Sequence, residues 1–234
     1  QTFAHIGAGN TATLSTAGAE AFQVIVGHTG STMPGSGTLN QTGGDLTVTD
    51  SLLIGVKTTG GSDVSGTYTS TGGTLTVGSL AQRGKIILGY NSAGNTSDAL
   101  GTLDLAGASQ FDAYLDELTI GEVTSSASSG TGGGTLKLAP TTYIDATEIM
   151  VSWSNMHSAT QPTSTIELGA NTTIKADTFT VAGFRGMALV EFGAGGGTLT
   201  LSGSGAAEAD LLIANCDGGT NNSVNGHMDM SGGA

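Results

Sequence analysis

Carboxylates are the side chains best placed to do chemistry in this sequence. Asp112, Asp116, Glu117 and Glu122 lie close together, and paired carboxylates can serve as acid and base on a glycosidic bond. A plainer reading competes. Asp116 precedes Ile120 by four positions, as Asp50 precedes Ile54 and Asp177 precedes Val181, while Gly84 and Thr147 fill the same slot elsewhere. A slot open to Asp, Gly or Thr is a turn position, where a short polar side chain bonds its own backbone. The turn reading covers five such positions and the catalytic reading only one.

The other reactive types are dispersed. Lys57, Arg83, Lys85, Lys137, Lys175 and Arg185 are strung along the chain; only Arg83 and Lys85 are close, flanking a strand start, and solvation or gatekeeping accounts for them. His5, His28, His157 and His227 are far apart in sequence. No Ser–His–Asp set, phosphate loop or CxxC can be assembled, so no catalytic residue, cofactor or dedicated metal site is expected, and the chain reads as no enzyme. The G-G-x-G-x-D nonapeptide of calcium-binding β-rolls is absent, which leaves only adventitious calcium on an acidic face. Cys216 is the single cysteine and reads as a small core or turn residue, with an intermolecular bridge as the alternative. Tyr90 and Trp153 each follow a strand at one offset, where a ring could stack on a sugar. They stand two repeats apart, roughly 10 Å, too far to make one platform, and packing at the edge of the core is the competing reading.

Charge narrows the partners. Six Lys and Arg against 19 Asp and Glu leave a net charge of −13, which repels phosphate backbones and anionic membranes alike. No apolar run approaches the roughly 20 residues that span a bilayer. Nucleic acid and membrane insertion are therefore not expected. The chain opens at Gln1 without Met or an apolar signal segment, which reads as processing or excision from something longer.

The elements that carry these residues declare themselves by repetition. Forty glycines and only 11% charged residues could suggest low complexity, yet aliphatic residues recur at regular intervals, which disordered tracts do not show. An aliphatic-x-aliphatic-Gly signature appears at Val24–Gly27, Leu52–Gly55, Ile86–Gly89 and Leu118–Gly121. It continues with a softened last position at Ile149–Ser152, Phe179–Ala182 and Leu211–Ala214, and a fragment stands at Ala4–Gly7. The third positions are 6, 26, 54, 88, 120, 151, 181 and 213. A second landmark keeps the same period: Thr38-Leu39, Thr67-Tyr68, Thr102-Leu103, Thr135-Leu136, Thr165-Ile166, Thr198-Leu199 and His227-Met228. A short strand such as Leu46-Thr47-Val48 lies between the two landmarks.

Short alternating strands separated by Gly leave no room for helices. The expected fold is all-β, a single-stranded parallel β-helix (β-solenoid) with three strands per coil and about seven coils of ~31 residues, over one domain, 1–234. Right-handed winding follows from the general preference of parallel crossovers. A leucine-rich repeat would carry a framed Asn and usually a helical return, and a β-sandwich would not hold one phase along the chain.

The unit GTL-x-x-x-GG-x-L-x-V-x-x-x-L-x-IG, clearest from Gly37 to Gly55, resembles the repeats of bacterial autotransporter passengers. It is equally similar to large repetitive exported proteins with carboxy-terminal sorting signals. The resemblance covers nearly the whole chain. It implies secretion, a right-handed β-helix, and roles in adhesion, surface coating or biofilm matrix.

Two further features bear on partners. The middle residue of the third strand should point outward, and that series includes Ile25, Leu53, Ile87, Met150 and Leu212. An apolar outward stripe is either covered by the following loop or packed against another molecule, so these five are the candidate association residues. Neither end carries an evident cap, and open solenoid ends invite addition. The functional expectation is a non-enzymatic structural protein of the cell surface or extracellular space, self-associating head to tail or laterally into a fibre or layer. The alternative is a carbohydrate-binding adhesin segment, or a polysaccharide-cleaving β-helix, with surface glycans as partners.

Overall fold

The computed structural model describes residues 1–30, 34–125, 130–155, 161–205, 208–215 and 224–233. His157 and Cys216 lie outside the described residues. The strands are β1 (Phe3–Ile6), β2 (Thr11–Leu14), β3 (Ala19–His28), β4 (Gly37–Gln41), β5 (Asp45–Val56) and β6 (Val64–Ser70). They continue with β7 (Thr74–Val77), β8 (Gly84–Asn91), β9 (Ala99–Asp104), β10 (Gln110–Val123), β11 (Gly132–Lys137) and β12 (Thr141–Ser154). The last are β13 (Ser164–Leu168), β14 (Asn171–Phe184), β15 (Met187–Phe192), β16 (Thr198–Ser202), β17 (Asp210–Asn215) and β18 (Asn225–Asp229).

These strands alternate between two parallel sheets. Sheet 1 runs β1-β3-β5-β7-β10-β12-β14-β16, with β8 completing the rung of β7 and β17 the rung of β16. Sheet 2 runs β2-β4-β6-β9-β11-β13-β15-β18. Each path is eight strands deep, close to the seven coils expected. The chain is a parallel β-solenoid.

The three expected segments of each coil are present, but the second and third are continuous in β3, β5, β10, β12 and β14. The Asp–Gly–Thr slot between them is a shallow irregularity, marked by register shifts between Ala21 and Gln23 and between Leu115 and Glu117. Hydrogen bonding resumes across it. Only where residues 78–83 and 203–209 intervene does the strand divide, into β7 and β8 and into β16 and β17.

Register shows why the period holds. Ile6, Val26, Ile54, Leu88, Ile120, Val151, Val181 and Ile213 form one continuous ladder. Its members from Val26 to Val181 are fully buried, each adding roughly 1.5–3 kcal/mol of apolar burial. Sheet 2 contributes the facing ladder Leu39, Tyr68, Leu103, Leu136, Ile166, Val190 and Met228. This corrects the expected phase of the last coils. Val190 occupies the sheet 2 rung, and Thr198-Leu199 pairs with Asn171-Thr172 in sheet 1. The cause is coil length: Val190 follows Ile166 by only 24 positions and Met228 follows Val190 by 38, so a fixed step picks the wrong strand.

Tyr68 is the one polar member of that ladder. Its hydroxyl donates to Gln41 Oε1 at 2.6 Å, and Gln41 Nε2 donates to the carbonyls of Gly44 and Thr74 at 2.8 and 3.0 Å. Both residues are fully buried, and burial drives the phenol's pKa well above its ordinary value.

The last position of the aliphatic-Gly signature is a left-handed corner. Gly27, Gly55, Gly89 and Gly121 have φ of 66–73°, and Ser152, Ala182 and Ala214 hold φ of 55–62° there. The corner backbone abuts sheet 2 directly. A methyl built at Gly55 or Gly89 would collide with the carbonyls of Leu100 and Gly133, and one at Gly66 or Gly101 with those of Val26 and Ile54. Small residues on both sides let the two sheets meet along a seam with no side-chain layer between.

Candidate functional site

The outward column beside that ladder is the expected stripe. His5, Ile25, Leu53, Ile87, Thr119, Met150, Thr180 and Leu212 are consecutive partners in register. Its burial is graded. Ile25 is buried, Leu53, Ile87 and Met150 are half-buried, and Leu212 is exposed.

Two polar columns flank the stripe. On one side stand Ser51, Lys85, Glu117, Glu148 and Thr178, and on the other Tyr90, Glu122, Trp153, Gly183 and Asn215. Glu117 and Glu148 are direct neighbours on β10 and β12, a like-charge pair that repels. The Glu122 carboxyl is pushed up to about 7, first by burial and then by the charges of Glu117 and Glu148. Thr119 Oγ1 donates to Glu117 Oε1.

Of the four carboxylates grouped by sequence, the structure keeps Glu117 and Glu122 in one electrostatic neighbourhood and adds Glu148. Asp116 is exposed at the register shift, within β10 rather than in the turn expected of it, and Asp112 accepts from Gln110 Nε2 at 2.6 Å. Glu148 follows Glu117 by 31 positions, one coil, so the period itself was the signal that could have found it.

Several basic residues are structural rather than solvated, which corrects the expectation. Lys57 is fully buried, donating to the carbonyls of Gly61 and Ser62 at 3.3 and 2.8 Å. Arg83 reaches two rungs along the rod, donating to the carbonyls of Leu115 and Asp145 and pairing with the Asp145 carboxylate. Lys137 lies between Asp104 and Glu167 at 3.7 and 3.8 Å. Lys175 sits 5.5 Å over the Tyr143 ring and Arg185 5.0 Å over Phe184.

His5 and His28, distant in sequence, interact across rungs. Burial and then the charge of His5 lower the pKa of His28, whose Nδ1 accepts from the Gly30 amide at 2.7 Å. Among the described residues, no three His, Cys, Asp or Glu side chains converge as metal ligands.

Tyr90 and Trp153 are two rungs apart with Glu122 between them, as the spacing required. Trp153 instead stacks on Phe184, with ring centroids 5.8 Å apart and planes 25° from parallel. Beside them is a hollow of about 500 Å³ lined by Glu148, Met150, Asn155, Thr180 and Asn215.

Among the described residues, the end rungs are paired on one side: β1 with β3, β2 with β4, β16 and β17 with β14, and β18 with β15. At the carboxy-terminal end the core itself reaches the surface. Leu211 is 40% and Ile213 47% exposed, and a cavity of about 500 Å³ opens among Phe192, Leu199, Leu201, Leu211, Met228 and Met230. At the other end Phe3 is exposed, edge-on to Phe22 at 5.6 Å.

No protein-family model, curated protein or solved structure matches the chain. Among the described residues, no helix is long and apolar enough to cross a membrane.

Proposed function

We propose that this chain is a non-enzymatic structural β-solenoid that assembles head to tail into a fibre or surface layer, outside the cell or on its surface. The observation that carries the reading is the carboxy-terminal rung, where Leu211 and Ile213 continue core ladders yet stand open to water. Capping repeats present polar residues, whereas the last described rung here presents aliphatic side chains beside an apolar cavity. An uncovered strand edge and an apolar rung favour the same thing, another parallel rung.

A second copy supplies chemically matched strands. Its Ile6 would continue the ladder that reaches Ile213, and its Ala12 the ladder that reaches Met228. The slot beside β16 has no counterpart in β1 or β2, so two of the three segments close the joint. The likeness of the Gly37–Gly55 unit to repeats of exported bacterial surface proteins supports the extracellular setting.

Electron microscopy and sedimentation of the purified chain test this, with and without calcium. The expected result is filaments one solenoid wide or a small multiple, lost in Ile213→Asp with the far-UV spectrum unchanged. A monodisperse monomer at the highest soluble concentration would overturn self-assembly and assign the open rung to other chain.

A further inference from the structure

We propose that the outer face of sheet 1 over β12 and β14 carries a subsite for an uncharged sugar ring, with the Trp153 indole as its platform. The argument begins with a missing side chain. Gly183 is the register partner of Trp153, and a methyl built there would stand 2.9 Å from the indole Cδ1. The indole therefore lies across the β14 backbone, into room only a glycine leaves. Elsewhere in this column the places of Gly183 are taken by Tyr90, Glu122 and Asn215, and no such bed exists.

Phe184 extends the surface. Its ring is near-parallel to the indole, and at 5.8 Å between centroids the two are offset rather than face to face. Trp153 and Phe184 are both only half-buried, on the outward side of the sheet, so neither belongs to the core.

The hollow beside them matches a pyranose in size and chemistry. About 500 Å³ falls within the range of small-ligand sites and admits one or two rings. A pyranose has an apolar face of C–H groups and a rim of hydroxyls that both donate and accept. The indole meets the first. Asn155, Asn215, Thr180 and the Glu148 carboxylate, all lining the hollow, meet the second, because an amide offers both functions and a carboxylate accepts from neighbouring hydroxyls.

Charge selects within the class. Although the Arg185 guanidinium lies 5.0 Å over the Phe184 ring, Glu148 is on the rim, Glu117 is its strand neighbour, and the chain carries −13 overall. A uronate or sulfated ring would be repelled, which leaves neutral hexoses and N-acetylhexosamines. The reading is independent of self-assembly.

Trp153 is the sole tryptophan, so its emission reports this site alone. Titration with cellohexaose, laminarihexaose, maltohexaose and chitohexaose should give a saturable change in that emission with at least one of them, and none with hexagalacturonate. By calorimetry, Trp153→Ala should weaken that binding tenfold or more while the far-UV spectrum and melting temperature are kept. Gly183→Ala keeps every polar group and the indole but displaces the ring, and should weaken binding as well. The proposal is overturned by silence from all four neutral sugars, by equal binding of hexagalacturonate, or by undiminished binding in both variants.

Discussion

The seam between the sheets makes a sharp demand on Gly89. Its φ is +67°, and a methyl there would run into the Gly133 carbonyl of β11. Gly89→Ala therefore carries two costs. The left-handed conformation costs an L-residue about 1–2 kcal/mol, and forcing backbone apart in a packed site costs typically 1–3 kcal/mol more. The sum is about 2–5 kcal/mol, which in a chain of this size lowers the melting temperature by roughly 4–20 °C. Ala182 occupies the equivalent corner with φ +62° and is fully buried. Ala182→Gly relieves the first cost but gives up a buried methyl of about 0.8 kcal/mol and frees the unfolded chain. Its net effect should lie within about 1 kcal/mol of zero. Thermal melts followed by far-UV circular dichroism compare the two directly. Equal effects in the two variants, or Gly89→Ala melting with the parent, would refute the reasoning that the seam excludes a side chain there.

Two other perturbations follow from groups on the outer face. The Glu122 carboxyl titrates at about 7 in the folded chain, above its ordinary 4.5, so the folded state holds the proton more tightly than the unfolded. Its contribution is fully present below pH 4.5 and is lost as pH rises through 7. Because the side chain is partly open to water, the loss is about 1–2 kcal/mol. Denaturant midpoints measured between pH 5 and 8 should fall across that window in the parent and fall less in Glu122→Gln. Arg83→Ala removes the tie across two rungs and leaves the Asp145 carboxylate, 8% exposed, with only the Ser204 and Tyr143 hydroxyls to hold its charge. That should cost about 2–3 kcal/mol. In a double-mutant cycle with Asp145→Asn the coupling should exceed about 1 kcal/mol, and purely additive effects would mean the pair contributes nothing.

Much of this architecture could be read before any coordinates, for a definite reason. A parallel solenoid converts sequence period into spatial adjacency, so the eight third positions from Ile6 to Ile213 and their outward neighbours fall on two ladders without adjustment. What escaped depends on coil length or on contact across coils. The 24-residue step to Val190 broke a fixed count. Glu148 joins Glu117 only when coils are overlaid, and Arg83 finds Asp145 only because the insertion after Val77 folds along the rod. Lys57 looks like a surface lysine until the carbonyls of Gly61 and Ser62 are seen to enclose its ammonium. The left-handed corner stood in the sequence only as a recurring Gly in four coils, replaced by Ser or Ala in three. The bed beneath Trp153 is an absence, one glycine on the adjacent strand, and absences are hard to read in a chain with 40 glycines.

The one-rung register also bears on extension under load. Ile120 and Val151 are 31 residues apart along the chain yet neighbours in the sheet, a separation of about 4.8 Å. Drawn out, the same segment would reach about 100 Å. Each coil therefore stores roughly twenty times its own height in reserve length. The hydrogen bonds between rungs lie along the rod axis, so tension applied at the two ends opens them in sequence from the outermost rung. Anchored at both ends, such a rod would yield coil by coil, beginning with the short outer strands β1 and β2, which hold their neighbours through four register pairs each.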